Sequence, residues 1–384
     1  MSLSRTYLDY NATAPLRPAA REAVLNALDA FGNASSVHAE GRGARSVIER
    51  ARKEVAALVS ADARNVAFTS GATEALNWAL SAPWKKVLLS AVEHPAVIAP
   101  AERSGARTVF IPVDANGLVD LERFAELLRV QVGEDSEQDG VLVAVQLANN
   151  ETGVVQPIAE IARLVHEHGA KLLVDAVQAA GRVKIDIVTL GADYLVVSSH
   201  KMGGPTGAGA LVLGSAADNE LKPLIVGGGQ ERNKRAGTES VAALAGFGAA
   251  AIAAQDDLSR VADFASLRDE LEARLTAATP ALAVIARSAP RLCNTSLVAL
   301  EGASSETTVI ALDLNGVAAS AGSACSSGKT ARSPVLAAMG VSPDMAKCAV
   351  RFSLGWATDQ KDIAACDVAW RRVMKSRGGE RQVA

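Results

Sequence analysis

The sequence predicts an α/β protein: a mostly parallel sheet covered by helices, followed by a smaller α+β domain. Three observations predict it. Short apolar runs alternate with amphipathic stretches from about residue 50 to 215, the order expected of strands and crossover helices. The apolar runs are near-continuous, as in strands buried on both faces. Near residue 256 the pattern changes, and a long amphipathic stretch leads into a different mixture of strands and helices.

Strands are expected at 86–90, 108–112, 141–145, 171–175 and 194–198, and another ends at Ser70. A helix is expected over 117–130, where Leu121, Phe124, Leu127 and Leu128 fall at helical spacing. A second is expected over 157–168: Pro157 suits a first turn, and Ile158, Ile161, Leu164 and Val165 share a face. The acidic stretch 132–140 reads as an exposed loop. The run from Val241 to Ala254 contains only apolar residues and glycine; it is shorter than the roughly 20 residues needed to span a bilayer, and its small side chains suit a packed core helix. Asp256 and Asp257 then open a long amphipathic helix carrying Leu258, Val261, Phe264, Leu267, Leu271 and Leu275, with Pro280 beyond its end. Strand-like pieces follow at 295–299 and 350–353. These changes divide the chain into a large domain, 12–256, and a small one made of 1–11 and 257–384.

Composition narrows the function. With 384 residues, 49% hydrophobic and 21% charged, the chain is long enough for two or three packed domains. A net charge of −3 gives no reason to expect a nucleic-acid or membrane partner. Four cysteines cannot make a disulfide scaffold. No pair has CxxC spacing and no histidines cluster at ligand spacing, so no metal site is expected. The first ten residues lack the basic and apolar regions of a secretion signal. A cytoplasmic protein with reduced thiols is the expectation.

Four motifs carry possible chemistry. The strand 194–198 runs into Ser199, His200 and Lys201 and then a glycine-rich turn. In open α/β sheets ligands bind beyond the carboxyl ends of strands, and a lysine held there against apolar walls can become a nucleophilic amine; the plain alternative is a solvated surface lysine. Asp175 ends another buried strand, where a carboxylate needs a partner; it could meet a pyridine nitrogen or merely cap the next helix. The turn Ser70-Gly71-Ala72-Thr73 opens a helix and offers free N–H groups to a phosphate, although capping alone also explains Ser and Thr there. Cys325 lies in a run of Gly, Ser and Ala between Gly322 and Gly328, a loop suited to exposure and movement, whereas Cys293, Cys348 and Cys366 have the surroundings of inert core thiols. His94, Asn150 and Arg351 add a ring, an amide and a carboxylate clamp, each with an ordinary structural alternative. The recurrence of polar groups at the carboxyl ends of strands in one sheet is what gives them weight.

Ten stretches in order carry a family resemblance: 7–15 (YLDYNATAP), 31–38 (FGNASSVH), 68–74 (FTSGATE), 93–94 (EH), 149–156 (NNETGVVQ), 174–178 (VDAVQ), 198–201 (SSHK), 235–238 (RAGT), 322–325 (GSAC) and 351–355 (RFSLG). Together they resemble the cysteine desulfurases of the NifS and IscS type, in the class V aminotransferase branch of fold type I pyridoxal-phosphate enzymes. The resemblance implies a seven-stranded transferase sheet and pyridoxal 5′-phosphate as cofactor. It implies that Lys201 carries the cofactor as a Schiff base and moves protons, that Asp175 pairs with the pyridine nitrogen, and that His94 stacks on the ring. Asn150 and Gln178 would contact the ring and its phenolic oxygen. Ala72, Thr73, Ser198, Ser199 and His200 would hold the phosphate, with Thr238 reaching the site of a partner subunit in a homodimer. Arg351, with Asn150, would bind the carboxylate of L-cysteine. Cys325 would take the sulfur as a persulfide and pass it to an acceptor protein, such as an iron–sulfur scaffold; transient iron–sulfur ligation at Cys325 is also conceivable. A selenocysteine lyase, another class V enzyme, or a non-catalytic protein keeping the fold are the alternatives. The Cys325 loop argues against an aminotransferase, and retention of Lys201, Asp175 and Cys325 together argues against a binding module.

Overall fold

The structure is a computed structural model that describes residues 5–132, 140–214, 221–322 and 333–380. The strands are β1 (Thr6–Tyr7), β2 (Val66–Thr69), β3 (Lys86–Ser90), β4 (Arg107–Ile111), β5 (Val141–Gln146), β6 (Lys171–Asp175), β7 (Tyr194–Ser198), β8 (Gly209–Leu213), β9 (Ala283–Val284), β10 (Thr295–Ala299), β11 (Val317–Ala318), β12 (Ser320–Ala321) and β13 (Ala349–Ser353). The helices are α1 (Pro18–Asp29), α2 (Ala39–Leu58), α3 (Ala72–Leu80), α4 (Pro95–Arg103), α5 (Leu121–Val132), α6 (Ile158–Glu167), α7 (Ile187–Leu190), α8 (Val241–Asp256), α9 (Val261–Ala278), α10 (Ser305–Leu314), α11 (Pro334–Ala338), α12 (Pro343–Ala346) and α13 (Gln360–Glu380).

Seven strands form the main sheet in the order β2-β8-β7-β6-β5-β3-β4. β8 is antiparallel to both of its neighbours, and the other pairs are parallel. The expected mostly parallel sheet is therefore present. Its strands are apolar throughout because both faces are covered: on β6, Leu172 and Val174 join one core and Leu173 the other, the two-residue period of a strand. β3, β6 and β7 coincide with the expected runs. β8 escapes the sequence pattern because it follows the glycine-rich segment 203–209, which reads as a turn. α5 starts later than expected: Val113 pairs with Val119 across a turn, and Asp120 Oδ1 accepts from the Arg123 N–H at 3.1 Å, capping the helix there.

α8 packs on α1 and α2. The approach is close: a Cβ on Gly248 would lie 2.7 Å from Ala51 Cα. The helical stretch Val241–Ala278 contains a window apolar enough to cross a membrane by composition; on α8 the apolar side chains Leu244, Phe247 and Ala251 are spent on this packing.

The remaining strands form a four-stranded antiparallel sheet, β12-β13-β10-β9, and the short parallel pair β1–β11. α9 and α13 pack together. Their core holds Leu8, Leu271, Leu275, Val298, Phe352 and Trp370, with the Phe352 and Trp370 rings edge-on at 6.3 Å. The amphipathic stretch that begins at Asp256 is thus split into a 3-10 turn, Asp257–Arg260, and α9. We propose that this separate core marks the domain division at 12–256 against 1–11 with 257–384.

Candidate active site

The carboxyl ends of β2, β3, β5, β6 and β7 meet at one edge of the main sheet, and β13 brings Arg351 to it. Between them lies a cavity of about 450 Å³ lined by Ser70, Ala72, Thr73, His94, Asn150, Asp175, Gln178, Ser198, His200, Lys201 and Arg351, among others. The volume suits a small cofactor with a substrate.

Lys201 follows β7 on a 3-10 turn, and its Nζ donates to the carbonyls of Asn11 at 2.6 Å and Ala12 at 2.8 Å. Asp175 ends β6 and accepts from the Val177 N–H at 2.9 Å. Burial pushes its carboxyl up to about 6, against the opposing pull of that hydrogen bond and of Lys201.

His94 caps α4, its Nδ1 accepting from the Ala96 N–H at 3.1 Å. A backbone N–H can only donate, so the ring proton sits on Nε2. Burial, then the charge of Lys201, lowers its pKa. His200 is treated similarly: burial, then Lys201, brings it down to about 4, and its Nδ1 lies 3.2 Å from Thr13 Oγ1. Both rings are neutral at neutral pH.

The N-terminus of α3 faces the cavity with Gly71 at the cap position and no side chain bonded across it. This turn runs against β8: a Cβ on Gly209 would lie 2.6 Å from Gly71 C and 2.9 Å from Ala72 N. Glycine at 209 therefore leaves the space in which the α3 amides come forward.

Arg351 is buried on β13. Its Nη1 donates to the Asn150 carbonyl at 2.8 Å and its Nη2 to Asp9 Oδ1 at 2.8 Å, while its buried Nε meets no hydrogen-bond partner among the described residues. Asn149, next to Asn150, builds the turn instead: its Oδ1 accepts from the Glu151 and Thr152 N–H groups.

Two expected positions do not line this cavity. Ser199 is buried beneath it, with its hydroxyl against Gly204 and no hydrogen-bond partner among the described residues. Thr238 is exposed. Cys325 lies outside the described residues. Burial raises the pKa of Cys293 and Cys366, and the Cys348 thiol bonds to the Asp344 carbonyl.

Asn11, Gly209 and Arg182 belong to the site or its support without being marked by residue type. Asn11 lay inside the quoted stretch 7–15, but its part in the site is played by a main-chain carbonyl, which residue type does not advertise. Arg182 lies four residues after Gln178, with Lys184 close by and no motif to mark it.

The model of the class V aminotransferase family matches residues 6–366. The chain is 37% identical to cysteine desulfurase IscS of Dictyoglomus turgidum, covering 97% of this chain and 95% of the relative. Among solved structures, a NifS-like protein from Rickettsia africae superposes with a TM-score of 0.88 at 33% identity, over 97% of this chain and 99% of that one. A structure of SspA in complex with cysteine matches with a TM-score of 0.75 at 28% identity, over 91% of this chain and 98% of that one. The chain belongs to the class V aminotransferase family, among its cysteine desulfurases. Its fold is that of the NifS-like enzymes, and its cofactor is pyridoxal phosphate.

The residues present fit that cofactor. A lysine amine, a buried carboxylate and an uncapped helix N-terminus are the groups that an aldehyde, a pyridine nitrogen and a phosphate each require, and here they line one cavity.

Proposed function

We propose that the chain converts L-cysteine to L-alanine, takes the sulfur as a persulfide on Cys325, and hands it to an acceptor protein such as an iron–sulfur scaffold. The observation that carries this reading is the convergence on one cavity of Asp175 and Lys201, from the carboxyl ends of β6 and β7, with Arg351 from the middle of β13.

In this reading the α3 amides at Ala72 and Thr73, with Ser198 and His200, hold the phosphate. Asp175 holds the pyridine nitrogen and His94 covers the ring. Bound there, pyridoxal phosphate supplies an electron sink for bonds at the substrate's α- and β-carbons. Arg351, which lines the cavity beside Asn150, grips the substrate carboxylate. Lys201 moves protons at Nζ. The Cys325 thiolate forms the new S–S bond while the substrate's C–S bond breaks; the carbon skeleton leaves, protonated, as alanine.

A homodimer completes the proposal. Phe31, Val37 and Val226 are exposed at 80%, 87% and 77%. Residues neighbouring them, Ala34, Ser35 and Gly229, line one surface cavity, and Ala236, two residues from Thr238, bonds to the Ile225 carbonyl. A second copy covering these exposed apolar side chains and the charged cavity beside them, which includes Arg45, Glu49 and Arg232, would bring Thr238 to the partner's phosphate site. A reducing cytoplasm is the compartment in which a persulfide carrier can be discharged and reused. The test is to purify the protein with its yellow cofactor and measure alanine and sulfide from L-cysteine with a thiol reductant. Release of both supports the proposal; a protein that takes up no pyridoxal phosphate, or releases no alanine, refutes it.

A further inference from the structure

On the far side of Gln178 and Lys201 from the main cavity is a much smaller space of about 30 Å³, bordered by Arg17, Arg182, Asp257, Cys293 and Trp356. The guanidinium of Arg182 faces the backs of two cofactor-side residues. Its Nη1 donates to Gln178 Oε1 at 2.5 Å and to the Gln178 carbonyl at 2.9 Å; its Nη2 donates to the Lys201 carbonyl at 3.3 Å. Among the described residues no carboxylate pairs with it. The nearby cations are already matched, Arg17 with Asp257 and Arg351 with Asp9.

Arg182 is partly shielded from solvent, and a cation placed there with no anion beside it carries a desolvation cost. Burial pulls the Arg182 guanidinium down to about 10, with Cys293 opposing the shift and Arg351 and Arg17 adding to it. It is still charged at neutral pH. If packing were all this position required, an uncharged side chain would avoid the cost.

What the charge obtains is the orientation of Gln178. An amide can be turned either way, and its partners decide. The Asn11 carbonyl can only accept, and it takes a hydrogen bond from Gln178 Nε2 at 3.0 Å. A guanidinium can only donate, so Gln178 Oε1 must face Arg182. Gln178, which lines the main cavity, is therefore fixed with its NH₂ group on the cavity side of its carbonyl. Only one of the two Nε2 hydrogens serves Asn11. The other is left for an acceptor oxygen.

We propose that Arg182 is a positioning residue: one prong of its fork locks Gln178 as a donor toward the cofactor, and the other pins the main chain of Lys201. This rests on the pyridoxal-phosphate reading above. A lysine could keep the charge but not both prongs.

The test uses apoproteins titrated with pyridoxal phosphate, following visible absorbance, for the parent, Arg182→Met, Arg182→Lys, Gln178→Leu and the Arg182→Met/Gln178→Leu pair. A parent that binds no cofactor refutes the underlying reading, separately from this one. Given a parent that binds, Arg182→Met is expected to weaken affinity about tenfold and to move the absorbance band. Arg182→Lys is expected to lose about threefold. Adding Arg182→Met to Gln178→Leu is expected to cost less than threefold more, because residues acting through one contact do not add. The proposal is overturned if Arg182→Met binds and absorbs like the parent, or if the two losses multiply. Should Arg182→Met not fold, Arg182→Lys decides alone: unchanged affinity and an unmoved band overturn the proposal.

Discussion

Lys201 Nζ donates to the main-chain carbonyl of Asn11 at 2.6 Å, and the same oxygen accepts from Gln178 Nε2 at 3.0 Å. The amine on the large sheet is thus positioned by a chain segment tied to the small one. Asn11 itself is held by Ser353 Oγ through its N–H at 2.9 Å, and its Nδ2 donates to Thr295 Oγ1 at 2.9 Å. Borohydride reduction of the cofactor-loaded protein should leave the label on the peptide containing Lys201. Lys201→Ala should leave that peptide unlabelled. Labelling of another lysine in the parent protein would reassign the amine.

Asp175 should make the apoprotein's stability depend on pH. Its folded pKa, about 6, lies above the ordinary aspartate value of 3.8, so the folded chain binds the proton more tightly. The stability it contributes is full below pH 4 and is lost as pH rises through about 6, a swing of up to about 3 kcal/mol. Asp175→Asn should flatten that part of the urea-midpoint profile and weaken cofactor binding. Burial also raises Glu93 and Glu151, so the difference between parent and variant is the quantity to read. Identical profiles from pH 4 to 7 would contradict the assignment.

Gly209→Ala tests the phosphate cradle without removing a polar group. The new Cβ would sit 2.6 Å from Gly71 C, and the neighbour it meets is backbone. The α3 N-terminus should be displaced. Pyridoxal-phosphate affinity of the apoprotein is expected to fall about tenfold, or roughly 1.4 kcal/mol. Unaltered affinity would show that these amides do not hold the phosphate.

Arg351→Lys separates charge from geometry. The guanidinium bridges Asp9 and the Asn150 carbonyl, and a lysine keeps the positive charge but not the fork. The expected result is a KM for L-cysteine raised about tenfold with a smaller change in kcat. A kcat loss at constant KM would place Arg351 in the chemistry and not in substrate binding.

The sheet was legible because strands buried on both faces need unbroken apolar runs, and β3, β6 and β7 supply them without ambiguity. β8 was not, since a strand entered through glycines looks like a continuing turn. Within the site, side chains of distinctive chemistry were legible: Lys201, Asp175 and Arg351 all reach the cavity expected of them. Positions that act through backbone or through an absent Cβ, Asn11 and Gly209, leave no mark in residue type. Ser199, beside two residues that line the cavity, turns underneath it, because successive residues leaving a strand point in different directions.

The most direct test of the central claim is the mass of the Cys325 peptide after exposure to L-cysteine without reductant, measured together with alanine. The account predicts a gain of one sulfur atom on Cys325 in step with the first alanine released, and loss of both in Cys325→Ala. Full alanine yield from Cys325→Ala, or alanine release with no added sulfur on that peptide, would contradict it.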